Sequence, residues 1–387
     1  MSGAVAGALR ISIPFETRPR SRAGGQMSLF VDKYRPKQLN DLHYHHDLSR
    51  RIQALAESGQ DFPHLLFYGP SGAGKKTRIM CTLRELYGSS AEKLRIDQRV
   101  FVTPSRRKLD VNVVQSNYHI ELTPSDVGMY DRSVVQEILK EIAQTQQVDV
   151  NAKKRFKVVV INEADLLSRD AQSALRRTME KYTTNLRLIL CANSTSKIIG
   201  PIRSRCLLLR VGAPTDDEMV NVINHVAKKE RFEIPRSAAL AVAQSASGNL
   251  RRALLALEAL HTQDPTFQSA SVAGKATSKI VPMPDWEEYC GKVTSTILTS
   301  QTPQQLLAVR QMLYELLVHC ITPQLILSTI TRNLVERADE ALKPEIVHWA
   351  AFYDHRLKLG TKPIFHLEAF VAKVMSLWKS HLAGYLD

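Results

Sequence analysis

Between residues 64 and 211, five short apolar runs alternate with stretches of helical spacing, and this alternation constrains the fold more than any other feature. The runs are HLLFY (64–68), YHIEL (118–122), FKVVVI (156–161), LRLILC (186–191) and CLLLR (206–210). They are apolar almost throughout and short, so they read as strands buried on both faces. The spacing predicts helices over 75–86, 131–145 and 169–181, with Val134, Val135, Ile138, Leu139 and Ile142 marking one apolar face. Strands that alternate with helices imply an α/β fold, a parallel five-stranded sheet between helices.

After Pro214 the strand signal stops. The segment PTDDEMVNVINHVAKKE opens with Thr215 as an N-cap and acids in the first turn, and helical stretches follow near 236–246 and 249–261. Residues 214–262 are therefore expected to form a small helical domain after an α/β domain spanning 27–213. Residues 263–284, rich in Gly, Ser, Thr and Pro, read as a linker. Beyond them Thr302-Pro303 and Thr322-Pro323 each present an N-cap followed by a first-turn proline. Leu306, Val309, Leu313 and Leu316 fall on one helix face, so 285–387 read as an all-helical third domain. Its apolar faces either fill its own core or also pack on neighbouring chains.

The net charge of +14 points to a polyanionic partner such as nucleic acid, or to a generally basic surface. Cys81, Cys191, Cys206, Cys290 and Cys320 are scattered with no C-x-x-C pair. That spacing excludes the usual zinc motifs and argues for a reducing compartment. No apolar run approaches the roughly 20 residues that cross a bilayer. Residues 1–26 carry Arg10, Arg18, Arg20 and Arg22 against the single acid Glu16. They read as a disordered basic extension, the alternative being an organelle transit peptide.

Residues 69–77, GPSGAGKKT, nearly fit the phosphate-binding loop G-x-x-x-x-G-K-[ST]. Gly69 follows a predicted strand and Lys75 opens a predicted helix. The loop Gly69, Pro70, Ser71, Gly72, Ala73 and Gly74 can close around phosphates through its backbone N–H groups, which every one of these residues but Pro70 carries, aided by the helix dipole. Lys75 reaches the outer phosphates. Lys76 stands where a metal-binding hydroxyl is expected, and Thr77, one residue late, is expected to turn away from the phosphates. In VVVINEADLL (158–167), Asn162 takes the place of the metal-side acid, whereas Glu163 keeps the position that polarises the attacking water. Both Mg²⁺-side positions depart together, so Mg²⁺ is expected to be weak or absent and hydrolysis slow or none.

Taken in order, VDKYRP (31–36), the phosphate loop, NEAD (162–165), DAQSALRRTMEKY (170–182), CANSTSKI (191–198), IRSRC (202–206) and GNLRRAL (248–254) resemble the small subunits of replication factor C. The likeness runs from about residue 27 to the C-terminus. The wordings GPSGAGKKTRIM and HLEAFVAK look most like the member with an atypical ATP site. This resemblance implies an AAA+ P-loop domain, a helical lid and a C-terminal helical collar. It implies a nuclear hetero-pentamer that binds ATP or ADP and loads the sliding clamp, PCNA, onto primer–template DNA in replication and repair.

By the same resemblance Val31, Tyr34 and Arg35 lie beside the adenine, Asn193 is a first sensor of the outermost phosphate, and Arg251 is a second. Arg205 is an arginine finger reaching a neighbouring subunit's ATP; the alternative is a plain ion pair. Asn249 stands where the second-sensor motif usually has Asp. Arg132, Arg169 and Arg176, at or near predicted helix starts, are candidates to track a DNA backbone, the alternative being solvated charges. The basic run Arg106, Arg107 and Lys108 is either another such patch or an exposed loop. The competing functional reading is an active AAA+ motor ATPase whose metal is held by Glu163, Asp165 and water.

Overall fold

A computed structural model describes residues 28–57, 62–102, 108–144, 156–183, 185–263 and 281–384. The basic extension 1–26, Arg106 and Arg107, and most of the expected linker lie outside the described residues. The chain divides into two compact units, one of residues 1–234 and 246–258, the other of residues 235–245 and 259–387.

The first unit is built on one sheet. Its strands are β1 (His64–Tyr68), β2 (Arg95–Val102), β3 (Lys108–Gln115), β4 (His119–Leu122), β5 (Lys157–Ile161), β6 (Leu186–Ala192) and β7 (Cys206–Arg210). They lie in the order β2-β3-β4-β5-β6-β1-β7. The five strands expected from apolar runs are mutually parallel from β4 to β7. The expectation of five strands is corrected to seven, because β2 and β3 form an antiparallel hairpin joined antiparallel to β4. In β3, buried Val111 and Val113 alternate with exposed Asp110 and Asn112, the period-two pattern of a half-buried strand. At the sheet edge β2 turns Ile96 and Val100 to solvent, leaves Asp97 and Arg99 partly covered and buries Phe101, so Ile96 and Val100 do not mark its buried face.

Successive residues of the parallel strands point to opposite faces. Val159 and Ile161 of β5 join Ile120, Leu122, Leu188 and Leu190 in one core, under α4 (Asp131–Gln144) and α5 (Arg169–Lys181). Val158 and Val160 join Leu65, Phe67 and Ile189 in the other, under α2 (His46–Glu57) and α3 (Lys75–Tyr87). Short helices α1 (Phe30–Lys33) and α6 (Gly200–Arg203) complete this part.

Helix α7 (Asp216–Lys229) begins as expected at Thr215, whose hydroxyl accepts from the Glu218 N–H while Glu218 accepts from the Thr215 N–H. Helices α8 (Arg236–Ala246) and α9 (Leu250–Gln263) follow. The second unit then holds α10 (Asp285–Thr299), α11 (Pro303–Val318), α12 (Pro323–Arg337), α13 (Lys343–Leu359) and α14 (Pro363–Gly384) around their own core. Val309, Leu313 and Leu316 of α11 are buried there, with Leu306 packed at the margin. Thr302 caps α11 through the Gln305 N–H, but Thr322 makes no such bond at α12. The repeated Thr-Pro opening therefore sets two helix starts with only one side-chain cap.

Candidate functional site

The carboxyl ends of β1, β5 and β6 lead into the segments that carry the expected site residues, the usual place for a ligand on an open α/β sheet. Leaving β1, the loop from Gly69 to Gly74 bends back and enters α3. Gly69 passes so close to β7 that a Cβ would lie 1.8 Å from the Val211 carbonyl oxygen. Gly72 has φ +78, and a Cβ there would meet Oδ1 of Asn249 at 1.9 Å. Glycine is required at both positions.

The back of the loop is held from the segment that leads into α2. The Tyr44 hydroxyl donates to the Ala73 carbonyl at 2.8 Å, and Arg78, wholly buried, donates to the Tyr44 carbonyl at 2.5 Å and to Ser49 Oγ at 2.9 Å. The Arg78 guanidinium also lies 5.1 Å from the Tyr44 ring centroid. Neither residue figured in the sequence reading. The signal for Arg78 is a third cation in the first turns of one helix, KKTR, on an otherwise apolar face.

A cleft of about 930 Å³ opens over the loop. It brings together Val31, Tyr34, Arg35, Ser71, Gly72, Gly74, Lys75, Lys76, Thr77, Asn162, Glu163, Asn193 and Arg251. Gly69, Pro70 and Ala73 are not among the lining residues, and their carbonyls accept from side chains of the protein itself. Thr77, expected to turn away from the phosphates, is among the lining residues. The cleft continues along α3 as far as Arg84, so Thr77 lines it too.

The Lys75 ammonium donates to the Gly69 carbonyl at 2.7 Å, the Pro70 carbonyl at 2.8 Å and Asn193 Oδ1 at 2.9 Å. Burial, with Arg251 adding to it, lowers the Lys75 pKa against the pull of Cys191 and Asp165. Lys75 and the Asn193 amide are thus in direct contact, joining the segments that follow the neighbouring strands β1 and β6. Asn249 caps α9 by accepting from the Arg252 N–H at 3.1 Å, which sets its amide against the phosphate loop.

At the metal side the donor set is poor. Lys76 is paired with Glu121 of β4 at 3.0 Å, and Glu121 is only 5% exposed. Asn162 ends β5 beside β4, its N–H donating to the Leu122 carbonyl at 2.8 Å. Glu163 holds a positive φ of 52, and its carboxylate accepts from Ser125 Oγ at 2.8 Å. Asp165, offered as a metal ligand in the competing reading, is buried and is not among the lining residues of the cleft. Among the described residues no group of three or more His, Cys, Asp or Glu side chains is arranged to hold a metal ion. Glu121, the partner of Lys76, also went unread in the sequence, where its signal is one carboxylate inside the apolar run YHIEL.

At the far end of the cleft, the Tyr34 hydroxyl and the Lys33 ammonium both donate to Glu230 Oε1 at 2.6 Å, just past the end of α7. Burial, and then Glu230, push the Tyr34 phenol pKa up. Arg35 pairs with Asp32 at 2.9 Å. His43 and His225 also line this end, with ring centroids 4.4 Å apart. Burial lowers both pKa values.

Besides Gly69, Pro70 and Ala73, the arginines Arg205, Arg176, Arg132 and Arg169 are not among the residues lining the cleft. Arg205, between α6 and β7, donates to the Pro201 carbonyl at 2.8 Å and to Glu180 Oε1 at 2.5 Å. Arg176 shares that carboxylate at 3.3 Å. Arg176, and with it Arg205, hold the Glu180 carboxyl below the usual carboxylate range. Arg132 and Arg169 are exposed in the first turns of α4 and α5. Buried Asp131 joins those helix starts, accepting from the Ser168 N–H at 2.7 Å, the Ser168 hydroxyl at 2.9 Å and the Arg132 N–H at 2.6 Å.

Comparison with known proteins matches residues 286–382 to the family described as replication factor C subunit 3, C-terminal domain. Residues 221–262 match an RCF1/5-like AAA+ ATPase lid domain, and residues 44–215 match the delta subunit of DNA polymerase III. The chain is 56% identical over 356 residues to replication factor C subunit 5 of Neurospora crassa, covering 92% of this chain and 99% of the relative. It is 50% identical over 361 residues to replication factor C subunit 3 of Homo sapiens, covering 93% and 99%. It is 52% identical over 350 residues to replication factor C subunit 5 of Schizosaccharomyces pombe, covering 90% and 96%.

Proposed function

The chain belongs to the family of replication factor C subunits 3 and 5, and we propose that it serves as a clamp-loader subunit that holds nucleotide with little or no hydrolysis. In this reading it assembles with other replication factor C subunits into a hetero-pentamer in the nucleus. That complex uses ATP to place the sliding clamp PCNA on primer–template DNA during replication and repair. Residues 27–213 form the AAA+ domain, 214–262 the lid and 285–387 the collar.

The observation that carries the reading is the asymmetry of the cleft. Its phosphate side keeps the glycine loop, Lys75 and Asn193 in mutual contact. Its metal side has an ammonium at Lys76 and an uncharged amide at Asn162, and neither can serve as a charged ligand of Mg²⁺. ATP or ADP is therefore retained, while the water that Glu163 is positioned to polarise meets no metal-activated phosphate.

Arg205 is the catalytic contribution of this chain, made to the adjacent subunit's ATP. It is one-third exposed and bound by an acid that already has a second cation, Arg176. Its departure therefore leaves Glu180 paired, so the exchange of Glu180 for a neighbour's γ-phosphate costs little. Arg132 and Arg169, set side by side by Asp131 and Ser168, would contact the DNA backbone as charges and helix N-termini without reading bases, and Arg176 would add to the same surface.

The test is Arg205→Ala in the reconstituted complex. Clamp-stimulated ATP turnover should fall, by the 10³ or more that a finger contributes if the neighbouring site dominates, while the variant chain's own affinity for ADP stays unchanged. Unaltered turnover would remove the finger assignment. Purified chain devoid of bound nucleotide, and unable to take it up, would remove the nucleotide-holding reading.

A further inference from the structure

The residues at the metal side of the cleft do not fit a divalent cation, and they supply a substitute. We infer that the Lys76 ammonium, anchored by Glu121, is a tethered cation that takes over the charge role of Mg²⁺, so that this pocket binds the metal-free nucleotide anion. The inference rests on the nucleotide-holding reading and specifies the chemical form of the ligand.

Three observations carry it. Lys76 occupies the sequence position of the metal-binding hydroxyl and lines the cleft together with Asn162 and Glu163. Its ammonium is fixed at 3.0 Å from Glu121 Oε2, on the strand that neighbours the one ending in Asn162. An ammonium carries three donors and one goes to Glu121, which leaves donors to point at phosphate oxygens. Glu121 itself is almost wholly buried, so its charge must be neutralised from close by. A phosphate brought beside that carboxylate without an intervening cation would be repelled by it. Lys76 is the intervening cation, and because it is already seated, a divalent ion approaching the same place meets a positive charge. The sheet fixes the arrangement. Ile120 and Leu122 point into the core under α4 and α5, so Glu121 points to the α3 side, where Lys76 lies in the first turn of its helix.

The experiment titrates the fluorescent probe mant-ADP into the full chain, once in excess Mg²⁺ and once in EDTA. The inference expects wild-type affinity to agree between the two buffers within about threefold, where a metal-dependent site differs by tenfold or more. Removing Lys76 alone would leave Glu121 buried and unpaired, so the informative variant is the neutral pair Lys76→Met with Glu121→Gln. Its affinity in EDTA should fall at least about tenfold, while Lys76→Arg, which keeps the cation, should stay within about threefold of wild type. Wild-type binding that needs Mg²⁺ overturns the inference and leaves the nucleotide-holding reading in place. So does a neutral pair that binds as tightly as wild type in EDTA. Failure of the wild type to bind mant-ADP in either buffer overturns both.

Discussion

Gly72 shows how a single residue governs the site. Its φ of +78 is a conformation that L side chains adopt at a cost of about 1–2 kcal/mol. A methyl group there would also collide with an Asn249 amide that its own helix cap holds in place. Gly72→Ala should weaken ADP binding by about tenfold or more and leave the fold intact, as read by ADP titration alongside circular dichroism. His64 gives a residue-scale prediction about pH. Its Nδ1 accepts the Leu188 N–H at 3.0 Å, a role open only to the neutral ring. Burial, and then Arg187, bring its pKa down from 6.5 to about 4. The unfolded chain therefore binds the extra proton between pH 6.5 and 4 while the folded chain does not. Stability from this group is complete above pH 6.5 and is lost as pH falls through that window, by about 2 kcal/mol at pH 5. The thermal midpoint of the first unit should drop between pH 6.5 and 5, and His64→Asn, which keeps an acceptor but cannot titrate, should flatten that drop. Equal slopes in the two proteins would remove the assignment. At this scale the loop residues were picked out by their spacing and Asn193 and Arg251 by the family resemblance, and Ser71, Gly72, Gly74, Lys75, Asn193 and Arg251 line one cleft. Glu121, Tyr44 and Arg78 were not picked out, because each matters only through a partner on another element.

Among the elements, the parallel strands β1 and β4 to β7 were legible because each reads as one apolar run; β1, β4, β5 and β6 are buried on both faces, whereas β7, at the sheet edge, was expected to be and instead exposes Leu207 and Leu208. The β2–β3 hairpin was missed because half-buried strands hide in alternating charged sequence, and β2 exposes Ile96 and Val100 at the sheet edge. Helix starts were read well where a side chain satisfies a backbone donor. The Thr215 and Glu218 pair closes both halves of a capping box, so Thr215→Ala should lower thermal stability by about 1 kcal/mol. Thr322→Ala, with no capping bond to lose, should change it by much less. Melting curves of the two variants against wild type compare the caps directly, and equal losses would show that the hydroxyl bond is not what matters at Thr215.

For the whole molecule, the reading divides nucleotide holding from hydrolysis. The chain keeps its cradle, carries Lys76 and Asn162 where metal ligands would be, and has Arg205 paired to Glu180 outside the residues that line its own cleft. Restoring both halves of the metal site, Lys76→Thr with Asn162→Asp, should raise ATP turnover above wild type. No gain would mean that a further feature, such as the Ser125 bond to Glu163, also disables the site. The most direct measurement is steady-state ATP turnover by the purified full-length chain with Mg²⁺, set beside its Lys75→Ala and Glu163→Gln variants. The account predicts that wild type retains nucleotide yet turns over no faster than Lys75→Ala. Turnover comparable to an active AAA+ ATPase, and abolished by Glu163→Gln, would contradict it.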